Sequence, residues 1–363
     1  MRVLFYVGDM EATGVARATT AAARGLGERG HQVTVAAHAA SPLNALATHA
    51  GVDTVDIATG GWAGSRELRR LLKDRFIEVA VVSNERDHLI VSSAMRAAGR
   101  GGVLRRVPSF DQLQLSRSGR LAAKIAASGA VVTTQGELGE LPTQGWSIPP
   151  IVAPLGVHAP AYDDIEPLPR ATINVRERGV LIACSYDRSG RFRMGTVFRT
   201  LALLAARHGN IHVAVFGPGS VDDDLRMHAA ALGVGPVMTF LGDRGDERGL
   251  MRAADAGWIV SGSDAAAFGC LDFMALRVPV IAERTPLTQH YVADGITGML
   301  LAPGDASYIA SGVAAFLNGD AKRKAMGAAA RTRVQREFPE TAMIDGFDRA
   351  VNAAGDRTVW SNK

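Results

Sequence analysis

Cysteine is almost absent. The 363 residues hold two, Cys184 and Cys270, too far apart for a metal-binding or redox spacing. A disulfide-stapled secreted scaffold and a zinc module are both excluded, and the pair reads as small apolar core residues suited to a reducing compartment. Aromatics are sparse at 6%, and no apolar run approaches the roughly 18 residues a membrane span requires. The opening, MRVLFYVGDMEATG, breaks its apolar run after a few residues, so neither a signal peptide nor a span is expected there. Charge of one sign is lacking too: 40 basic residues face 36 acidic ones, a net +4 without the concentrated basic stripe of a nucleic-acid binder. That slight excess favours a phosphate-bearing ligand. A cytoplasmic globular protein, with no nucleic-acid partner, is the expectation.

What is present is alternation. Val3–Val7 is a short apolar run, followed by a loop with Gly8 and Gly14, an Ala-rich helical stretch over 15–28 and a second apolar run over 31–37. Strand, helix and strand within some 35 residues predict a βαβ unit and hence a parallel sheet. The pattern continues through 76–83, 102–107 and 130–134 until Pro149, Pro150 and Pro154 interrupt it. Residues 161–178, rich in Pro, Asp, Glu and Arg, read as a linker. Alternation resumes with strands over 179–184, 211–216, 237–241, 257–261 and 278–282, and with a helix over 271–276. Two doubly wound α/β domains are predicted: 1–160, joined by a C-terminal helix of about 336–363, and 179–335. Ligands of such sheets bind outside the carboxyl ends of the strands, so a cleft faced by both domains is the expected site.

The stretch from Val237 to Asp305 carries more specific marks. It contains Phe240-Leu241-Gly242, Ala254-Asp255, the acidic pair Asp264 and Asp272, Pro279-Val280-Ile281, Asp294-Gly295, Thr297-Gly298 and Pro303-Gly304-Asp305. In order and spacing it resembles the donor-binding half of the retaining, family 4 glycosyltransferases (glycosyl transferases group 1). Weaker echoes are Gly30-His31-Gln32-Val33, Pro154-Leu155-Gly156-Val157, Val215-Phe216-Gly217-Pro218-Gly219 and the run from Phe338 to Ala354. The resemblance implies the GT-B architecture, two Rossmann-like domains facing across a cleft. The implied reaction is transfer from a nucleoside diphosphate sugar to a hydroxyl acceptor with retention. That acceptor is a saccharide, a lipid-linked molecule or a small molecule, and no metal or cofactor is needed.

Site residues follow from the same resemblance. Asp264 faces the donor sugar and Asp272 accepts the ribose hydroxyls, a task suited to a carboxylate's two acceptor oxygens. Read on their own, Asp264 is equally a solvated loop acid and Asp272 an acid at a helix N-terminus. The family usually has Glu at both places, so each arm here is one methylene shorter. Arg188, Arg191 and Arg193 stand around the places of the family's diphosphate-binding Arg and Lys, the Lys place itself holding Met194. Ala266, Ala267 and Phe268 occupy a loop whose backbone N–H groups reach phosphate in the family. Gly14 matches its glycine loop, and Arg17 follows on the helix. Asn84 stands where a sugar-contacting His is common. His88 either substitutes for that His from the loop or is an ordinary surface histidine. Leu113–Ala127, with Arg117, Arg120 and Lys124, reads as an amphipathic surface helix or as a peripheral contact with anionic lipid at the inner membrane face. Asp222-Asp223-Asp224 is an acidic helix start rather than a metal motif.

The accumulated departures from the family pattern keep a second expectation open: a catalytically degenerate relative acting as an accessory or binding protein. An epimerase or phosphorylase on this architecture lacks positive support, and no lysine is placed for a pyridoxal cofactor.

Overall fold

The computed structural model describes residues 1–9, 13–57, 61–99, 101–108, 112–142, 145–173, 175, 179–206, 210–302 and 305–359. These form two compact units, one of Met1–Leu155 with Glu340–Lys363, the other of Gly156–Pro339.

The first unit runs β1 (Arg2–Val7), α1 (Thr13–Glu28), β2 (Gln32–Ala37), α2 (Pro42–His49), β3 (Asp53–Asp56), α3 (Gly61–Asp74), β4 (Val79–Val82), α4 (Glu85–Ala98), β5 (Gly102–Arg106), α5 (Arg117–Ile125), β6 (Ala127–Val132), α6 (Gln135–Glu140) and β7 (Ile151–Val152). Its strands pair in the order β3-β2-β1-β4-β5-β6-β7, every pair parallel. Val3, Leu4 and Phe5 of β1 and all four residues of β4 are at most 2% exposed. That is the unbroken apolar run required of a strand covered on both faces. β3 and β7 are absent from the sequence expectation. The DTVD of β3 is a four-residue edge strand with half-exposed faces, and its Asp53 ties it to β2 through the Thr34 hydroxyl at 2.9 Å.

The second unit runs β8 (Val180–Ser185), α7 (Arg191–Ala205), β9 (Ile211–Phe216), α8 (Asp223–Ala231), β10 (Met238–Gly242), α9 (Glu247–Ala253), β11 (Ala256–Ile259), α10 (Ser263–Ala275), β12 (Val280–Glu283), α11 (Pro286–Tyr291), β13 (Gly298–Leu301), α12 (Ala306–Leu317) and α13 (Asp320–Glu337). The strand order is β10-β9-β8-β11-β12-β13, again parallel throughout. Phe198, Leu201, Val213, Val215, Trp258 and Val313 lie in its main core. Residues 161–178, read as a linker, are part of this unit. Within them Tyr162 and Ile173 are buried, and Arg170 donates to the Gly179 and Ala253 carbonyls and to Asp255.

The chain then returns to the first unit as α14 (Glu340–Val359). α1 receives it closely, because a Cβ at Gly25 would lie 2.3 Å from Ile344 Cδ1. Arg24 with Glu340 at 2.7 Å, His31 with Asp348 at 2.8 Å and Phe5 against Phe347 hold the seam. Among the described residues no helix is long and apolar enough to cross a membrane.

Candidate functional site

In both sheets the first strand is flanked by strands reached in opposite directions, so the order reverses beside β1 (at β4) and beside β8 (at β11). Turns that leave adjacent carboxyl ends at such a point diverge and open a crevice.

In the second unit that point joins two turns carrying the predicted site residues. After β8, Asp187 caps a short turn over Arg188–Gly190, its side chain accepting from the Ser189 and Gly190 N–H groups. After β11 the chain passes Val260 and Gly262 into α10. The turns touch at three places: the Val260 N–H donates to the Ser185 carbonyl at 2.9 Å, the Gly262 N–H donates to Ser189 Oγ at 2.9 Å, and Gly190 lies flat against the Val260 carbonyl. A Cβ at Gly190 would stand 1.7 Å from that oxygen, so only glycine fits this contact.

Asp264 sits on the first turn of α10, where unpaired helical N–H groups and the dipole favour negative charge. It is 2% exposed rather than a solvated loop acid. Asp272 lies in the body of the same helix and is also buried, so the alternative of a helix-start acid is corrected. Eight residues of helix separate the two acids by roughly 12 Å along the axis and about 80° around it, which leaves both on one side. The loop expected at Ala266, Ala267 and Phe268 is helix as well. All three are buried, and the Ala266 N–H donates to the Gly262 carbonyl. The helix starts eight residues earlier than the sequence was read because Ala265-Ala266-Ala267 is strongly helix-forming.

The arginines flank this point and each faces a carboxylate. Arg188 is 3.5 Å from Asp222, Arg193 is 2.8 Å from Glu283, and Arg191 pairs with Asp224. All three pairs are substantially solvent-exposed, so a diphosphate competes with partners worth little in water. Met194 is fully buried in α7.

Residues beyond the predicted set join Asp272. The Tyr162 hydroxyl donates to its Oδ1 at 2.5 Å. The carboxyl of Glu247 is raised to about 7, chiefly by burial, with the Asp243 and Asp272 charges adding to it. Tyr162 has no local sequence signal, since it stands in a Pro- and Asp-rich stretch.

In the first unit, Gly14 and Arg17 lie half-buried on the first turns of α1. Asn84 caps α4, accepting from the Asp87 N–H at 2.8 Å and donating to Asp87 Oδ2 at 2.9 Å. Asp87 reaches across to the end of β1, where it accepts the Gly8 N–H at 2.8 Å. Burial raises its carboxyl above the usual range, partly offset by the Gly8 and Asn84 hydrogen bonds. The Asn-x-x-Asp spacing at the start of α4 was the signal for this residue.

His88 is neither a loop nor a surface side chain. It is 0% exposed within α4, stacked on Trp146, with Nε2 3.1 Å from Ser128 Oγ. Burial lowers its pKa from 6.5 to about 4, with Arg105 adding. The unfolded chain therefore takes up a proton near pH 6.5 that the folded chain refuses until about pH 4. The stability so contributed is intact above 6.5 and falls by about 3 kcal/mol on the way to pH 4. Urea titrations over that range should show this decline for the native chain and a smaller one for His88→Gln; equal declines would contradict it.

The family motifs themselves resolve into structural jobs. Asp255 accepts the Leu181 N–H at 2.8 Å, Asp294 accepts the Leu300 N–H at 2.9 Å, and Thr297 Oγ1 accepts the Ala293 N–H at 2.9 Å. A Cβ at Gly298 would lie 2.3 Å from the Val280 carbonyl oxygen. Pro303 and Gly304 of the last motif lie outside the described residues.

Residues 194–333 match the family model of glycosyl transferases group 1, which takes in Asp264 and Asp272 and begins just past Arg193. A lipopolysaccharide core biosynthesis glycosyltransferase, LpsE of Rhizobium meliloti, is 25% identical over 158 residues, 44% of this chain; the match spans 46% of that relative, under half its length. Among solved structures, Anabaena HepE in complex with UDP-glucose aligns with a TM-score of 0.81 at 14% identity, covering 97% of this chain and 100% of that one. A glycosyltransferase from Rickettsia africae aligns with a TM-score of 0.78 at 15% identity, covering 97% and 98%. The chain has the two-sheet α/β fold of these GT-B proteins.

Proposed function

We propose that the chain is a glycosyltransferase that moves a hexosyl group from a nucleoside diphosphate sugar to a hydroxyl acceptor with retention. The observation that carries this is the abutment of the Arg188–Arg193 turn and the start of α10 at the strand-order reversal of the second unit, within hydrogen-bond contact at Gly262 and Ser189. Cationic side chains and helix-start N–H groups at one place are what a departing diphosphate needs. In this reading Arg188, Arg191 and Arg193 take the diphosphate, Asp272 the ribose and Asp264 the sugar. In the first unit Gly14 is assigned to the donor, and Arg17 and Asn84 to the acceptor or the transferred sugar. No metal or cofactor enters.

Two further features support details of the reading. LpsE, by its name, works in lipopolysaccharide core biosynthesis, which supports a saccharide acceptor. α5 exposes Arg117, Arg120, Leu121 and Lys124 beside one another, which supports peripheral contact with anionic lipid from the cytoplasmic side. The exposed pairing of all three arginines, with buried Met194 in the lysine's place, favours a second reading, a catalytically degenerate relative acting as an accessory or binding protein. Incubation with UDP-, GDP- and ADP-sugars and a panel of saccharide acceptors separates the two. Acceptor-dependent release of one nucleoside diphosphate is the expected result. Binding without release, or no binding of any nucleotide, favours the second reading and overturns the first.

A further inference from the structure

Tyr162 belongs to none of the motifs, yet it is built into the environment of Asp272 from three sides. Its side chain is 4% exposed, and its hydroxyl donates to Asp272 Oδ1 at 2.5 Å. Its ring is covered by the Arg248 guanidinium, 4.6 Å from the centroid, a cation–π distance. The short helix Ala159–Tyr162 that carries it is clamped by Arg331, a buried side chain. That guanidinium donates at 2.7 Å each to the Ala159 carbonyl, to Asp163 Oδ1 and to the Ala275 carbonyl at the end of α10. The phenol is thus fixed relative to the helix that bears Asp272.

A short, charge-assisted hydrogen bond from an immobile donor settles the torsion of a carboxylate before any ligand arrives. Hydrogen bonds to ribose then form without the rotamer ordering that a mobile side chain would require. The need is greater for an aspartate, whose reach is one methylene less than that of the glutamate usual in the family. We propose that Tyr162 is a positioning residue that sets the Asp272 carboxylate to receive the two ribose hydroxyls of a nucleoside diphosphate. This rests on the assignment of Asp272 to the ribose made above.

The test is calorimetric titration of the full chain with UDP, GDP and ADP and with their 2′,3′-dideoxy counterparts, for the native protein, Tyr162→Phe and Asp272→Ala. The native protein should prefer the ribonucleotide by about a hundredfold or more, since two hydrogen bonds to a charged group are lost together and each is worth about a factor of ten. In Tyr162→Phe that preference should fall below about fivefold while dideoxynucleotide affinity stays the same, a split that loss of packing alone does not produce. Equal weakening of both nucleotide forms in Tyr162→Phe overturns the proposal, because the tyrosine then only supports the fold. A preference that widens overturns it in the opposite sense, because the hydroxyl then competes with ribose for Asp272. A preference unchanged in Asp272→Ala overturns the ribose assignment beneath it. Absence of binding by the native protein overturns the transferase reading itself.

Discussion

Replacing Asp264 with alanine is expected to lower the rate of sugar transfer by at least about a hundredfold while leaving nucleoside diphosphate affinity within about threefold, the pattern of a group that acts at the reacting sugar. The expectation starts from placement. Asp264 is 2% exposed on the first turn of α10, beside the glycine turn at the strand-order reversal, and the second acid lies two turns further along the same side. A helix-start acid with no chemical role predicts something different: a loss of about 0.5 kcal/mol of stability and no kinetic effect. Measured kcat and Tm on one preparation separate these outcomes. Asp264→Glu adds the methylene that the family usually has. Turnover within tenfold of native would show that the crevice tolerates the longer arm, whereas a loss as large as that of alanine would show that the site is built around the shorter one. Unchanged turnover in Asp264→Ala removes the residue from the site.

Gly190→Ala should have the largest effect on stability and on binding together. The added methyl would lie 1.7 Å from the Val260 carbonyl oxygen and 2.7 Å from its carbon, and neither backbone atom can swing aside. Overpacking against backbone should cost about 3 kcal/mol, seen as a fall in the second unit's Tm of roughly 6–12 °C. The same displacement separates the arginine turn from the start of α10, so nucleotide affinity should fall about thirtyfold or more. Gly195→Ala, one turn along α7, is the matched control. Its methyl meets nothing nearer than Arg199 at 3.4 Å, and alanine in a helix interior is neutral or stabilising. If the two variants melt and bind alike, the close approach at Gly190 does not hold the site together.

The parts of the fold legible in the sequence were those whose signal is local. Apolar runs such as VLFY in β1 and IHVAVF in β9 mark strands covered on both faces, and their order implies parallel sheets. β3 was not legible because DTVD has no apolar run; its pairing with β2 comes from register and from Asp53. The family motifs were legible for a related reason. Asp255, Asp294, Thr297 and Gly298 close turns and satisfy backbone N–H groups, so they report architecture rather than chemistry. Around Asp264 the error had one physical source. Ala266, Ala267 and Phe268 read as a loop from the resemblance, whereas three consecutive alanines extend α10 toward its glycine cap. Tyr162 was out of reach because it meets Asp272 across 110 residues of sequence; for Asp87 the local cap with Asn84 was legible but its bond to Gly8, 79 residues away, was not. His88 shows the opposite failure: the residues before it, Asn84 to Asp87, are polar, and only Trp146 and Ser128 reveal that it is enclosed.

A crystal structure of the chain grown with the nucleoside diphosphate it binds most tightly is the direct test of the central claim. Density for the diphosphate should lie against the Arg188–Arg193 turn and the first turn of α10, with the ribose hydroxyls on Asp272. A nucleotide seated away from those two turns, or none at saturating concentration, would contradict it.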